Sequence, residues 1–299
     1  MTTLLPLLLV LAPCETPTKL PPVIADDAKL YIIYESKGTF FEGPTWDPAS
    51  EKLFFTAFKG KSTQILRLDD LNKVTVWLDN TQGVNGTYLS ASGRLLGAQA
   101  YGHRLVSYGI GPDGPKDTRI LLEDASLNQP NDVCEAPDGT IYFTDPDFKE
   151  RRTSAVYKLK DGKKEKIIED MPLPNGLKTS PDGKVLYVSD SHERHWKAYP
   201  IKPDGTVGTG RVFFDPDTKD RREPDGLAVD EKGNLYFTGR GGVWVVSPEG
   251  KPLGLIPIKE FASNVCFGGS FGNMLFITCQ DRVYSLKLTV RGATAVRQR

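Results

Sequence analysis

Neither sign of charge predominates in this chain: 38 Lys and Arg stand against 38 Asp and Glu, a formal net charge of zero over 299 residues. That balance argues against a dedicated nucleic-acid binder, whose phosphate contacts require a basic surplus or stripe. No apolar run reaches the ~18 residues of a membrane-spanning helix, so no conventional span is expected. The 4 cysteines include no CxxC pair, which removes a structural zinc site and a redox dithiol. No GxSxG motif supports a serine nucleophile. A helical i, i+3, i+4, i+7 pattern nowhere persists for three turns. What is plentiful is Gly (29) and Pro (22), with 39% hydrophobic and 25% charged residues, the make-up of a turn-rich globular protein.

The N-terminal stretch TTLLPLLLVLAP (2–13) has about the length of a secretory apolar region, though no Lys or Arg precedes it. The polar, Pro-rich ETPTKLPP (15–22) follows as a spacer. Residues 1–22 are therefore expected to be a signal-like or disordered segment, with 23–299 as a single folded domain. The expected location is periplasmic or secreted, with the cytoplasm as the alternative. Cys14 has a lipid-acceptor reading that Pro13 fits poorly. Cys134, Cys266 and Cys279 sit among strand-like apolar residues, where a small buried thiol is the default. Cys266 and Cys279, 13 residues apart across a Gly-rich turn, could pair in an exported protein.

Short apolar runs recur behind Gly, Asp or Pro turns: EKLFFT (51–56), GRLLGA (93–98), GTIYFT (139–144), GKVLYVS (183–189), GNLYFT (233–238) and GNMLFIT (272–278). Anchored on Leu53, Leu95, Ile141, Leu186, Leu235 and Leu275, they step by 42, 46, 45, 49 and 40 residues. A period of ~40–50 residues built from short strands is that of a β-propeller blade. The expected fold is all-β, a six-bladed propeller. Its last blade lacks one strand, which AKLYIIYE (28–35) supplies to close the ring.

Ten or eleven residues before each anchor stands a polar residue: Glu42, Asn85, Asn131, Asn175, Asp225 and Asn264. The first strand of a propeller blade lines the central channel, so these positions are expected to form a ring. Asn-Gly and Asp-Gly alone are ordinary turn formers. Six carboxylates or carboxamides in register instead suit a hard divalent cation, Ca²⁺ first, with Mg²⁺, Mn²⁺ or Zn²⁺ as alternatives. The ring's lack of His and Cys argues against zinc as the intended metal.

The segments FEGPTWD (41–47), QPNDVCEAPDGTIYFTDP (129–146), LPNGLKTSPDGKVLYVSDS (173–191) and PDGLAVDEKGNLYFT (224–238) resemble the gluconolactonase family. So do GGVWVVSPEG and SNVCFGG further on. This sugar-lactonase group includes regucalcin-like proteins, and the match runs from about residue 35 to 288. The resemblance implies a six-bladed propeller with one catalytic divalent cation at the top of the channel. It implies Glu42, Asn175 and Asp225 as metal ligands and Asn131 as a fourth ligand or substrate contact. Asp225 would also be the catalytic base. Regucalcin-like members carry Arg where this chain has Gln129, so Gln129 marks a departure in the substrate contacts.

Asn85, Asn131, His103 and Gln129 are the candidate substrate-binding residues. Asp145 and Asp190, each four residues past an anchor, read as turn or supporting carboxylates rather than ligands. His192 and His195 form a weak metal pair, and KDGKKEK (160–166) is a solvated hairpin tip. Three readings stay open: a metal-dependent lactonase, a broader metal-dependent esterase or phosphotriesterase, and a non-catalytic calcium-binding propeller. The small-molecule partner of the first is a sugar lactone.

Overall fold

The computed structural model describes residues 20–71 and 73–293. The apolar run at 2–13 and Cys14 lie outside the described residues. Among the described residues the regular elements are 24 strands in six four-stranded antiparallel sheets. The first blade shows the plan: Phe40–Asp47, Lys52–Lys59, Ser62–Asp70 and Lys73–Leu78 pair in chain order. The first strands of the next five blades are Val84–Leu89, Val133–Glu135, Pro174–Thr179, Leu227–Val229 and Ala262–Gly268. Each first strand touches those of both neighbouring blades, so the six close a ring around one channel. This is the expected six-bladed propeller.

The closing strand is also as expected. Tyr31–Glu35 pairs antiparallel with Arg282–Lys287, Tyr31 opposite Ser285 and Glu35 opposite Arg282. An Arg282 Nε–Glu35 Oε2 ion pair of 2.8 Å pins the end of that pairing. The last blade therefore holds strands from both ends of the chain, and no blade lacks its fourth strand.

The anchors explain why the repeats fold alike. Leu53, Leu95, Leu186, Leu235 and Leu275 are fully buried on their blades' second strands; Ile141 is half-buried. Gly93, Gly139 and Gly233 stand two residues before their anchors at φ of 72°, 80° and 81°, which an L side chain adopts only with strain. Between blades lie apolar clusters such as Trp196, Phe214, Phe237 and Trp244, with Trp196 stacked on Phe237 at 4.8 Å. Aromatic contacts of this kind contribute beyond their buried area.

In three of the blades a hydroxyl on the second strand ties the blade to the next. Thr56 Oγ1 donates to Asn85 O (2.9 Å), Ser189 Oγ to Asp225 O (2.7 Å) and Thr238 Oγ1 to Ser263 O (2.9 Å). The same bond in three blades identifies Asn85, Asp225 and Ser263 as equivalent positions. The sixth member of the ring is therefore Ser263, and the expected Asn264 sits one residue further down the strand. The turn between Phe267 and its partner Leu275 causes the offset: it is longer than the corresponding turns, such as Val229 to Leu235, and so lengthens the count from the anchor.

The Cys266–Cys279 pairing does not form. Cys266 lies opposite Phe276 and Cys279 opposite Ala262, with both thiols free. Three to four rungs of the ladder separate them, about 10–13 Å at ~3.3 Å per residue, beyond the ~7 Å a disulfide spans.

Candidate active site at the upper mouth of the channel

The end of the channel where the first strands begin is called here its upper mouth. Glu42, Asn131, Asn175 and Asp225 are all buried at this level, and Asn85 is half-buried. Immediately below them Gly43, Gly86, Gly176 and Gly226 clear the axis. A Cβ on Gly86 would lie 1.9 Å from Asp132 Oδ1, and one on Gly226 would lie 2.0 Å from Asn264 Cγ. Neither site has room for any side chain. In the two remaining blades the corresponding residues are Asp132 and Asn264, which fill the space the glycines leave.

Asp132 and Asn264 come from opposite blades and meet on the axis. Asn264 Nδ2 donates to Asp132 Oδ1 (3.2 Å) and Oδ2 (3.1 Å), and to Glu42 Oε2 at 3.0 Å. The backbone N–H of Val265 donates to Asn264 Oδ1 (2.8 Å), which fixes the amide's orientation. Glu42 Oε2 also accepts from Gly43 N at 2.7 Å. Asp132 thus joins the site although the sequence reading took only its neighbour Asn131. The signal was present: Asp132 stands where four of the six motifs have glycine.

Three carboxyl groups are confined here with no lysine or arginine ion-paired to them among the described residues. Burial, reinforced by the Asp132 charge, pushes Glu42 up to about 8. Burial likewise pushes Asp132 up to about 6, opposed by the Lys178 ammonium further down the channel and by the Asn264 amide. Asp225 is driven well above the carboxylate range by burial first, then by Glu42, Asp132 and Glu223. Each carboxylate is costly because charge is desolvated without compensation.

The amides show the complementary signature. Asn175 Nδ2 donates to Ser191 Oγ (3.2 Å), whose hydroxyl passes on to Pro224 O (2.7 Å). Asn175 Oδ1 and Asn85 Oδ1 are buried with no hydrogen-bond donor. Buried polar atoms are ordinarily satisfied, so two orphaned amide oxygens beside uncompensated carboxylates fit a hard cation's oxygen shell. No group of three or more His, Cys, Asp or Glu side chains forms a metal site among the described residues. Any ligand set here is a mixture of carboxylates and amides.

The other sequence candidates lie around this mouth. His103, in the turn after the strand Arg94–Gln99, has φ of 50° and its Nδ1 is 2.9 Å from Leu127 O. Gln129 is half-buried in the loop before Asn131, where its backbone N–H bonds Asp145. Asp145 also accepts from Asn128 N (2.9 Å) and Asn128 Nδ2 (3.2 Å), so it holds the loop that carries Gln129. Asp190 accepts from His192 N (3.0 Å) and Glu193 N (3.1 Å) and shapes the next loop in the same way. His192 faces Arg151 at 2.8 Å, while His195 belongs to the strand His195–Pro200, so the two do not form a metal pair.

A family model described as SMP-30/Gluconolactonase/LRE-like region matches residues 40–281, most of the chain and all six second strands. The chain belongs to that family. Among members of the SMP-30/gluconolactonase family, it is 33% identical to the gluconolactonase of Zymomonas mobilis over 188 residues. That alignment covers 56% of this chain and 52% of the relative, so the chain matches about half the relative's length. A solved gluconolactonase from Xanthomonas campestris is 30% identical with a TM-score of 0.78, covering 93% of this chain and 98% of that one. Bovine regucalcin is 26% identical over 250 residues, 80% and 82% of the two chains. The family match therefore covers the first strands of all six blades, though not the closing strand Tyr31–Glu35 or its partner Arg282–Lys287.

Proposed function

We propose that the protein is a divalent-cation-dependent lactonase that opens a sugar lactone at the upper mouth. The observation that carries this reading is the pairing of uncompensated buried carboxylates with orphaned amide oxygens on one ring. The gluconolactonase relatives, similar along most of the chain in the Xanthomonas case, support the substrate class. Glu42, Asn175 and Asp225 would hold the cation, with Asn131 as a fourth ligand or a substrate contact; Ca²⁺ suits this oxygen-only set best. When bound, the cation supplies Lewis acidity toward the lactone carbonyl.

The chain's own residues do the rest. Asp225 accepts a proton from the water whose oxygen attacks the carbonyl carbon. That proton passes to the ring oxygen as the acyl–oxygen bond breaks, giving the open hydroxy acid. A base so placed contributes ~10²–10⁴ in rate. Ser191, through Asn175 Nδ2, holds that amide with its oxygen free. Asn264 keeps Glu42 and Asp132 in fixed relation. Asn85, His103 and Gln129 are the proposed contacts for substrate hydroxyls.

The test is proton release from glucono-1,5-lactone after chelation, then with Ca²⁺, Mg²⁺, Mn²⁺ or Zn²⁺ restored. Turnover that returns with metal and is lost in Asp225→Asn supports the lactonase. A folded, metal-loaded protein inactive on this lactone but active on a phosphotriester would overturn it in favour of the broader esterase.

A further inference from the structure

The opposite end of the channel holds a cavity that the chemistry above does not use. Two residues below the glycine level the six first strands present Thr45, Tyr88, Cys134, Lys178, Ala228 and Cys266, and all six line a cavity of about 180 Å³. That is more than ten times the ~10–15 Å³ that admits one water, so a ligand of several heavy atoms fits. No Asp or Glu lines the cavity, whereas Lys178 and Arg291 both do. Burial pushes the Cys134 and Cys266 thiols up to about 12, so neither supplies an anion at neutral pH.

Lys178 is a cation held ready. Its Nζ sits 4.7 Å from the centroid of the Tyr88 ring. Among the described residues no hydrogen-bond acceptor and no carboxylate oxygen within ion-pair distance meets it. An ammonium carries three donors, and with no protein acceptor in reach they are free for the acidic group of a ligand. The surroundings are mixed: Trp46 and Phe267 give the wall an apolar stretch beside the hydroxyls of Thr45, Thr87, Thr179 and Ser270. Phe271, on the turn at the cavity's edge, is 71% exposed, the most exposed large hydrophobic side chain among the described residues. A lone apolar residue on a surface means little, but one beside a concave site with a convergent charge marks a binding face.

We propose that this lower mouth binds a small organic anion with an aromatic or aliphatic body, its acidic group on Lys178 and its body against Trp46, Phe267 and Phe271.

The probes are 4-phenylbutyrate and its uncharged amide, titrated into the full chain by calorimetry and by quenching of tryptophan emission. The expected result is saturable binding of the acid at least tenfold tighter than the amide. Lys178→Met removes that difference by weakening the acid alone. Phe271→Ser, at an exposed side chain that leaves folding intact, weakens both probes. Asp225→Asn, changed only at the upper mouth, binds the acid as the parent does. The proposal is overturned by equal affinity for acid and amide, by no saturable binding of the acid, or by undiminished binding in Phe271→Ser. Loss of acid binding in Asp225→Asn, which would put the probe in the upper mouth, overturns it as well.

Discussion

The two mouths of the channel are lined by the same six strands, yet their electrostatics are opposite. At the upper level Glu42, Asp132 and Asp225 are crowded together without an ion-paired cation. Two residues below the glycine level the lining has no carboxylate and carries Lys178 and Arg291. The glycines between them keep the axis open everywhere except where Asp132 and Asn264 cross it. A strand presents alternate residues to one face, so each blade contributes independently to each level. One ring of six strands can thus carry two sites of contrary charge.

Several perturbations would break or sharpen that contrast. The largest effect is expected from deleting residues 20–35, which removes the strand Tyr31–Glu35 and opens the ring at both mouths together. Its melting temperature should fall by about 10 °C or more, or its single cooperative transition should disappear in calorimetry. An unchanged transition would show that the ring holds without its closure. Next is Asp225→Asn, which should cost ~10²–10⁴ in turnover by proton release while sparing the lower mouth. Because it deletes a buried uncompensated charge, the metal-free variant should melt no lower than the parent.

A smaller effect concerns pH and belongs to the upper mouth alone. The folded Glu42 titrates at about 8 against an ordinary 4.5, so between those values the folded state holds a proton that the unfolded state releases. The metal-free protein should therefore lose stability as pH rises from 5 to 9, and saturating divalent cation should flatten the slope. Thermal melts with and without chelator read this directly; a metal-free protein that gains stability over that window would contradict the crowded-carboxylate picture. Gly176→Ala tests the narrowness of the axis, since its Cβ would lie 2.3 Å from Asp225 O. It should cost about 1–3 kcal/mol by chemical denaturation. Least of all is Thr45→Val, which removes the 2.7 Å hydroxyl contact with Thr87 between the first two blades. About 1 kcal/mol is expected by the same measurement.

The architecture was legible because it is a period. Six anchors at steps of 40 to 49 residues need only a count, and the closing strand followed from the one blade that came up short. The site was legible to within a turn. In every blade the ring residue stands four positions before the anchor's cross-strand partner, but the turn between the two strands varies: Trp46 pairs with Leu53, Leu89 with Leu95 and Phe267 with Leu275. The last of these turns is the longest, so a count back from Leu275 reaches Asn264 where Ser263 belongs. Counting residues cannot see this, because the length of a turn is defined only by which residues pair on either side of it. Asp132 escaped for a different reason. A pattern of one polar residue per blade passes over it, and Asp132 matters as the exception among glycines. Lys178 belongs to a level the motifs do not mark, and its importance rests on what is absent around it.

The closure of the last blade has a consequence for how the chain is made. Tyr31 pairs with Ser285, so the strand that completes the ring emerges from the ribosome roughly 250 residues before its partner. Until then it is a solitary apolar edge, and the other five blades form an arc with two open flanks. Pairings of such long sequence separation form late and slowly. The nascent chain therefore passes through a stage in which Ile33, buried in the finished protein, is uncovered. At that stage chaperones and aggregation compete for the same strand.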